Sequence, residues 1–143
     1  MANITEARIE RFLEEVSVWA RTQPDIVALI LVGSHARCTA TDDSDVDLMI
    51  LVEDVAKRIA NWAWIFNFGE VRAVMRETWG RVETIRVFYE NSIEAEFNLA
   101  TSGWAEVPLD KGTFQVVRAG ISILYDPSEI LRPLQTAIKA DVI

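Results

Sequence analysis

The chain has 143 residues, half of them apolar and a quarter charged, a balance that belongs to a folded protein and excludes a disordered one. Its 14 basic residues are outweighed by 22 acidic ones, a net charge of −8, which argues against sequence-independent binding to DNA or RNA. A single cysteine, Cys38, and a single histidine, His35, exclude an internal disulfide, a thiolate cluster and a multi-histidine metal site, so metal ligands here must be carboxylates.

Ile4, Ile9, Phe12, Leu13, Val16 and Trp19 or Ala20 recur at helical spacing and predict a first helix that ends before Pro24. Asn3 or Thr5 is the expected cap, with Glu6 completing a capping box after Asn3. Acids in this segment set it apart from a signal peptide. The longest apolar run, Ile26 to Val32, is far short of the roughly 20 residues that span a bilayer. It reads instead as a strand buried on both faces. No membrane association is expected, and the expected location is cytoplasmic. Gly33-Ser34 ends the strand and leads into a short helix, and Val46 to Val52 is a second buried strand.

Asp54 is predicted to cap a helix running to about Phe66. Val71 to Met75, Arg81 to Tyr89 and Ile93 to Leu99 read as strands, the last two joined by Glu90-Asn91-Ser92 with Asn91 as the residue that tolerates a positive φ. Lys111 to Ala119 reads as a helix, Ile121 to Tyr125 as a short strand, and Pro127 opens a final helix with proline in its first turn. No repeat or Gly/Pro/Ser-rich linker interrupts the pattern. The order α-β-β-α-β-β-β-α-β-α predicts one α+β domain over residues 1–143, a mixed sheet flanked by helices.

The chemistry concentrates between Val32 and Val52, in V-G-S-H-A-R-C-T-A-T-D-D-S-D-V-D-L-M-I-L-V. Gly33 ends a buried strand where the backbone turns sharply and can approach a ligand closely. Ser34 and the amides after it offer hydroxyl and N–H donors to a phosphate. Asp45 and Asp47, two residues apart at the entry of a strand, point to one face. Two carboxylates beside a phosphate cradle suit Mg²⁺, which takes few protein carboxylates and fills its shell with water and phosphate oxygens. Asp47 lies between Val46 and Leu48 in an otherwise apolar strand, so its charge needs compensation. Asp42 and Asp43 read as solvated turn residues. His35 reads as incidental. Of the five tryptophans, Trp79 and Trp104 are the candidates for a pocket wall, the others for the core.

Gly33-Ser34, ten residues, then Asp45-Val46-Asp47 resembles the signature of the nucleotidyltransferase superfamily with the DNA polymerase β-like catalytic fold. Gly-Ser-x-Ala-Arg followed by Ser-Asp-x-Asp-Leu is most similar to its small bacterial members, the minimal nucleotidyltransferases and the aminoglycoside adenylyltransferases. The resemblance implies a third carboxylate from a neighbouring strand; within Ile93 to Leu99 both Glu94 and Glu96 share a face, and Glu96, flanked by Ala95 and Phe97, fits better. It implies Asp45, Asp47 and Glu96 as catalytic residues and ligands of two Mg²⁺ ions, with ATP or another NTP as co-substrate. Gly33 and Ser34 would bind its phosphates, joined by Arg37, which could equally pair with Asp42 or Asp43. The implied reaction moves a nucleoside monophosphate, AMP from ATP, to a hydroxyl of a small, aminoglycoside-like acceptor. The alternatives are an antitoxin-type minimal nucleotidyltransferase that modifies or binds a helical toxin, and a non-catalytic nucleotide-binding module. Cys38 stands where small family members commonly carry Gly. Aminoglycoside adenylyltransferases usually append a helical domain for the acceptor, and 143 residues leave none for it. The acceptor site is therefore expected from a second copy, from a helical protein partner, or as a shallow surface.

Overall fold

The apolar runs at 26–32 and 48–52 can be buried only if both faces of their sheet are covered. A computed structural model of the chain describes residues 4–41, 44–106 and 109–139 and meets this condition. Its elements in order are α1 (Ile4–Arg21), β1 (Ile26–Val32), α2 (Gly33–Ala36), β2 (Val46–Val52), α3 (Val55–Ala60), a 3₁₀ segment (Trp62–Phe68), β3 (Val71–Trp79), β4 (Val82–Tyr89), β5 (Glu94–Ala100), a 3₁₀ turn (Ser102–Ala105), α4 (Lys111–Ala119), β6 (Ser122–Tyr125) and α5 (Arg132–Lys139).

The strands form one six-stranded sheet in the order β3-β4-β5-β2-β1-β6. Its pairs are antiparallel except β2 with β5, so the sheet is mixed. Period-two alternation then sorts the side chains. Leu29 and Leu31 of β1, Leu48 and Ile50 of β2, Ile85 and Val87 of β4, and Phe97 and Leu99 of β5 enter one core with Phe12 and Val16 of α1 and Trp64, Ile65 and Phe68. The other face buries Ala28, Ile30, Met49, Leu51 and Ala100 with Trp104, Val117, Leu131 and Leu134. That second cover is supplied by the 3₁₀ turn, α4 and the start of α5.

The first core is aromatic. Phe12 meets Tyr89 at 5.8 Å and Phe97 at 6.2 Å between ring centroids, Trp64 meets Phe97 edge-on at 5.1 Å, and Trp19 stacks on Trp64 at 5.0 Å. The Tyr89 hydroxyl, fully enclosed, donates to the Ile65 carbonyl at 2.7 Å and so ties the 3₁₀ segment to β4. Burial holds this phenol protonated well above its ordinary range.

The first two strands and α4 lie over the predicted residues. Three differences have local causes. The helix expected from Asp54 to about Phe66 is capped by Asp54, which accepts from Lys57 N–H at 3.1 Å, but it is α-helical only to Ala60 and continues as 3₁₀ from Trp62. There Ile65 and Phe68, three residues apart, eclipse on one face of the tighter helix and both enter the core. In the β4–β5 turn the positive φ belongs to Ser92 (75°), not Asn91, whose side chain instead accepts from Ile93 N–H at 3.1 Å. The final helix starts at Arg132 rather than at Pro127; Asp126 accepts from the Ile130 and Leu131 N–H groups, and Pro133 is the proline of the first turn. Asn3, proposed as a cap of α1, lies outside the described residues, as do Asp42 and Asp43.

Tyr89→Phe leaves the Ile65 carbonyl buried without its donor. It is expected to lower stability by about 1–2 kcal/mol, read as a lower urea midpoint with an unchanged slope.

Candidate active site

Register brings the acids together. In the parallel β2–β5 pair Asp47 lies opposite Glu96, and Asp45 precedes β2 on the same face. One carboxylate oxygen from each of Asp45, Asp47 and Glu96 lies within 4.8 Å of the other two. Glu94, the other candidate, shares the face but bonds to Arg86 and lies outside this cluster.

The turn after β1 closes over the acids. Gly33 has φ +75°, and a Cβ at this position would sit 2.5 Å from Asp47 Oδ2. Only a residue without a side chain permits that approach. The chain then winds through α2, with Arg37 N–H donating to the Gly33 carbonyl at 3.2 Å and Thr39 N–H to the Ser34 carbonyl at 2.9 Å. Cys38 holds φ +59°, so the turn keeps a left-handed geometry with cysteine carrying a strain of about 1–2 kcal/mol. Arg37 is exposed, its stem packed beside Gly120, and forms no ion pair among the described residues. His35 Nε2 is buried without a hydrogen-bond partner among the described residues.

Three carboxylates withdrawn from water repel one another, and their proton affinities separate accordingly. Burial, and then the contact with Glu96, pushes Asp47 up to about 8. Burial and the Glu96 charge also raise Asp45. Glu96 goes down, because Asp47 donates to it and the Arg86 guanidinium lies beside it. The group thus behaves as one carboxyl and its bases sharing a proton. Asp47 Oδ1 remains buried with no hydrogen-bond partner among the described residues.

Arg86 and Asn98 were not legible as site residues. Arg86 lies opposite Glu96 in the β4–β5 ladder and donates to it at 2.6 Å. Asn98, two residues beyond Glu96, accepts from Thr84 at 2.6 Å and donates to the Leu48 carbonyl at 3.0 Å, lacing β4, β5 and β2 together beneath the acids. Counting back from the 90–92 turn is the signal that would have paired residue 86 with residue 96. From Asp47 and Glu96 a cleft of about 580 Å³ runs under α4, walled by Trp79, Val82, Trp104 and Val116. Trp79 is 61% exposed and Trp104 7%.

Residues 8–93, which hold the Gly33 turn and both aspartates, match the streptomycin adenylyltransferase family. The chain belongs to that family. No curated protein matches this adenylyltransferase-family chain. Among solved structures it is similar to the aminoglycoside 6-adenyltransferase from Bacillus subtilis, with TM-score 0.51 and 16% identity over 66% of this chain and 36% of that one. It is also similar to Cid1 in complex with its short product ApU, at TM-score 0.50 and 19% identity over 69% and 32% of the two chains. A cytoplasmic RNA terminal U-transferase matches at TM-score 0.50 and 19% identity, over 69% and 31%. These likenesses show the nucleotidyltransferase fold. The chain spans about a third of the length of each. No helix among the described residues is long and apolar enough to cross a membrane.

Two outcomes are expected. Gly33→Ala places a methyl group against Asp47 in a backbone conformation that alanine resists, and should cost at least about 2 kcal/mol in chemical unfolding. Between the ordinary value of 3.8 and about 8, the folded state holds a proton on Asp47 that the unfolded chain has released. Ion-free protein should therefore lose stability as pH rises from about 5 to 8. Glu96 is lowered, so its contribution is complete above its ordinary 4.5 and constant in that window. Asp47→Asn should flatten the slope, as measured by urea unfolding at several pH values.

Proposed function

We propose that this chain is a Mg²⁺-dependent nucleotidyltransferase domain over residues 1–143, moving AMP from ATP to a hydroxyl of a small-molecule acceptor. The observation that carries the reading is the convergence of Asp45, Asp47 and Glu96 within 4.8 Å under the Gly33 turn. The residues fit a divalent cation on three counts. The donors are all carboxylate oxygens, the set a hard cation prefers. Asp47 Oδ1 is buried and has no hydrogen-bond partner among the described residues. The proton that Asp47 retains marks unbalanced negative charge that a cation would replace.

Asp45, Asp47 and Glu96 would hold Mg²⁺, which when bound supplies positive charge to a triphosphate and to the pyrophosphate that leaves. Gly33 presents bare backbone to the phosphates, and Ser34 adds its hydroxyl as a donor. The Arg37 guanidinium, exposed at the end of the same turn, is free to reach a phosphate oxygen. Asp42 and Asp43, the alternative partners of Arg37, lie outside the described residues. Glu96 stays ionised beside Arg86, which suits a ligand more than a proton acceptor. The cleft beginning at Asp47 and Glu96 has the volume and apolar walls of a small-molecule site. That supports a small acceptor or the nucleoside over a protein helix. The net charge of −8 keeps the acceptor reading away from nucleic acid and compatible with a cationic compound.

The test is pyrophosphate release from ATP with Mg²⁺, assayed against a panel of aminoglycosides beginning with streptomycin. Asp47→Asn and Glu96→Gln should each cut acceptor-dependent release by about 100-fold or more. Mg²⁺ should raise the melting temperature more at pH near 8 than near 6, because at the lower pH a proton competes for Asp47. Loss of neither release nor the Mg²⁺ effect in Asp47→Asn overturns the reading.

A further inference from the structure

Arg86 is not among the proposed ion ligands, yet its side chain touches the acid cluster at 2.6 Å. The β4–β5 register places it opposite Glu96, which is itself opposite Asp47, so Asp47, Glu96 and Arg86 form one row across three strands. Its guanidinium spreads over carboxylates from β3 and β5. Nη2 donates to Glu96 Oε1 at 2.6 Å, Nη1 donates to Glu94 Oε1 at 3.2 Å, and Nε faces Glu77 Oε1 at 3.9 Å, beyond hydrogen-bond distance. The Arg86 side chain is 28% exposed and that of Glu96 17%, which sets the pair apart from screened surface ion pairs.

A glutamate on a strand has three side-chain torsions, whereas an ion site tolerates little displacement of its oxygens. The groups that hold a ligand in place therefore matter nearly as much as the ligand. We propose that Arg86 is a positioning residue: by holding Glu96 Oε1 it fixes the Glu96 side chain and leaves one oxygen to the divalent ion shared with Asp45 and Asp47. The inference rests on the metal-dependent reading above. Glu94 and Glu77 belong to the same device: Glu94 binds Nη1 from β5 beside Glu96, and the Glu77 charge faces Nε from β3.

Geometry and charge predict opposite signs. A cation beside the site repels a divalent ion, so if Arg86 were a counterion alone its removal would tighten binding. If it positions Glu96, its removal weakens binding. Lysine separates the two further, because it keeps the charge but lacks the planar fork that spans Glu94 and Glu96 together.

The experiment titrates Mn²⁺ alone by calorimetry into the wild type, Arg86→Lys, Arg86→Gln, Glu96→Gln and the Arg86→Gln/Glu96→Gln double variant. Each protein is first checked by circular dichroism for its native spectrum. Arg86→Lys and Arg86→Gln should each weaken Mn²⁺ binding by about tenfold or more. The double variant should bind no more weakly than Glu96→Gln alone, because Arg86 acts through Glu96. Wild-type affinity in Arg86→Lys, tighter binding in Arg86→Gln, or losses that add in the double variant each overturn the proposal. Should Arg86→Gln fail to fold, Arg86→Lys, which keeps a cation among the acids, decides it by the same criterion. A wild type that does not bind Mn²⁺ overturns the metal-dependent reading itself, a failure distinct from the others.

Discussion

The structure is organised around the difficulty of keeping Asp45, Asp47 and Glu96 together on a half-buried sheet face. Carboxylates brought this close and out of water raise one another's proton affinity, as Asp47 shows. The surrounding features answer that difficulty. Parallel pairing of β2 with β5 sets Asp47 against Glu96, and Arg86 meets Glu96 from β4. The absent side chain of Gly33 lets backbone settle on Asp47 where any larger residue would collide. Asn98 laces the three strands beneath.

The two faces of the sheet do different work. One is a closed aromatic core in which Phe12, Trp64, Tyr89 and Phe97 interlock and leave little freedom for the strands to shift. The other is covered over β1 and β2 by the Trp104 turn, α4 and α5, but open toward β3 and β4. Rigidity on one side and an open cleft on the other are what a site needs when its ligands arrive from solvent while its acids stay fixed.

Much of this was legible in the residues. Strands buried on both faces announce themselves as apolar runs, unbroken in β1 and broken only by Asp47 in β2, which is why both are read to their ends. The Gly33 turn and the paired aspartates lie within one short segment, where spacing alone determines which side chains share a face. Less was legible wherever long-range pairing decides. Glu94 and Glu96 alternate onto the same face, and only the offset of β5 against β2 selects the residue that meets Asp47. Arg86 is one charged residue among many until β4 is laid against β5. The step from α-helix to 3₁₀ at Trp62 and the start of α5 at Arg132 depend on core packing and on Asp126 capping, which periodicity does not carry.

The parallel pairing of β2 with β5 has a kinetic meaning as well. Asp47 and Glu96 stand about fifty residues apart in the chain, and the intervening segment includes α3 and the β3–β4 hairpin. No local fragment of the protein contains the acid cluster. Hairpins such as β3–β4 close over short loops, whereas β2 can meet β5 only after that long connection has closed. The cluster is therefore assembled only when that non-local pairing forms. Without it Glu96 is apart from the aspartates, so the full repulsion of the three carboxylates is met only when β2 and β5 join.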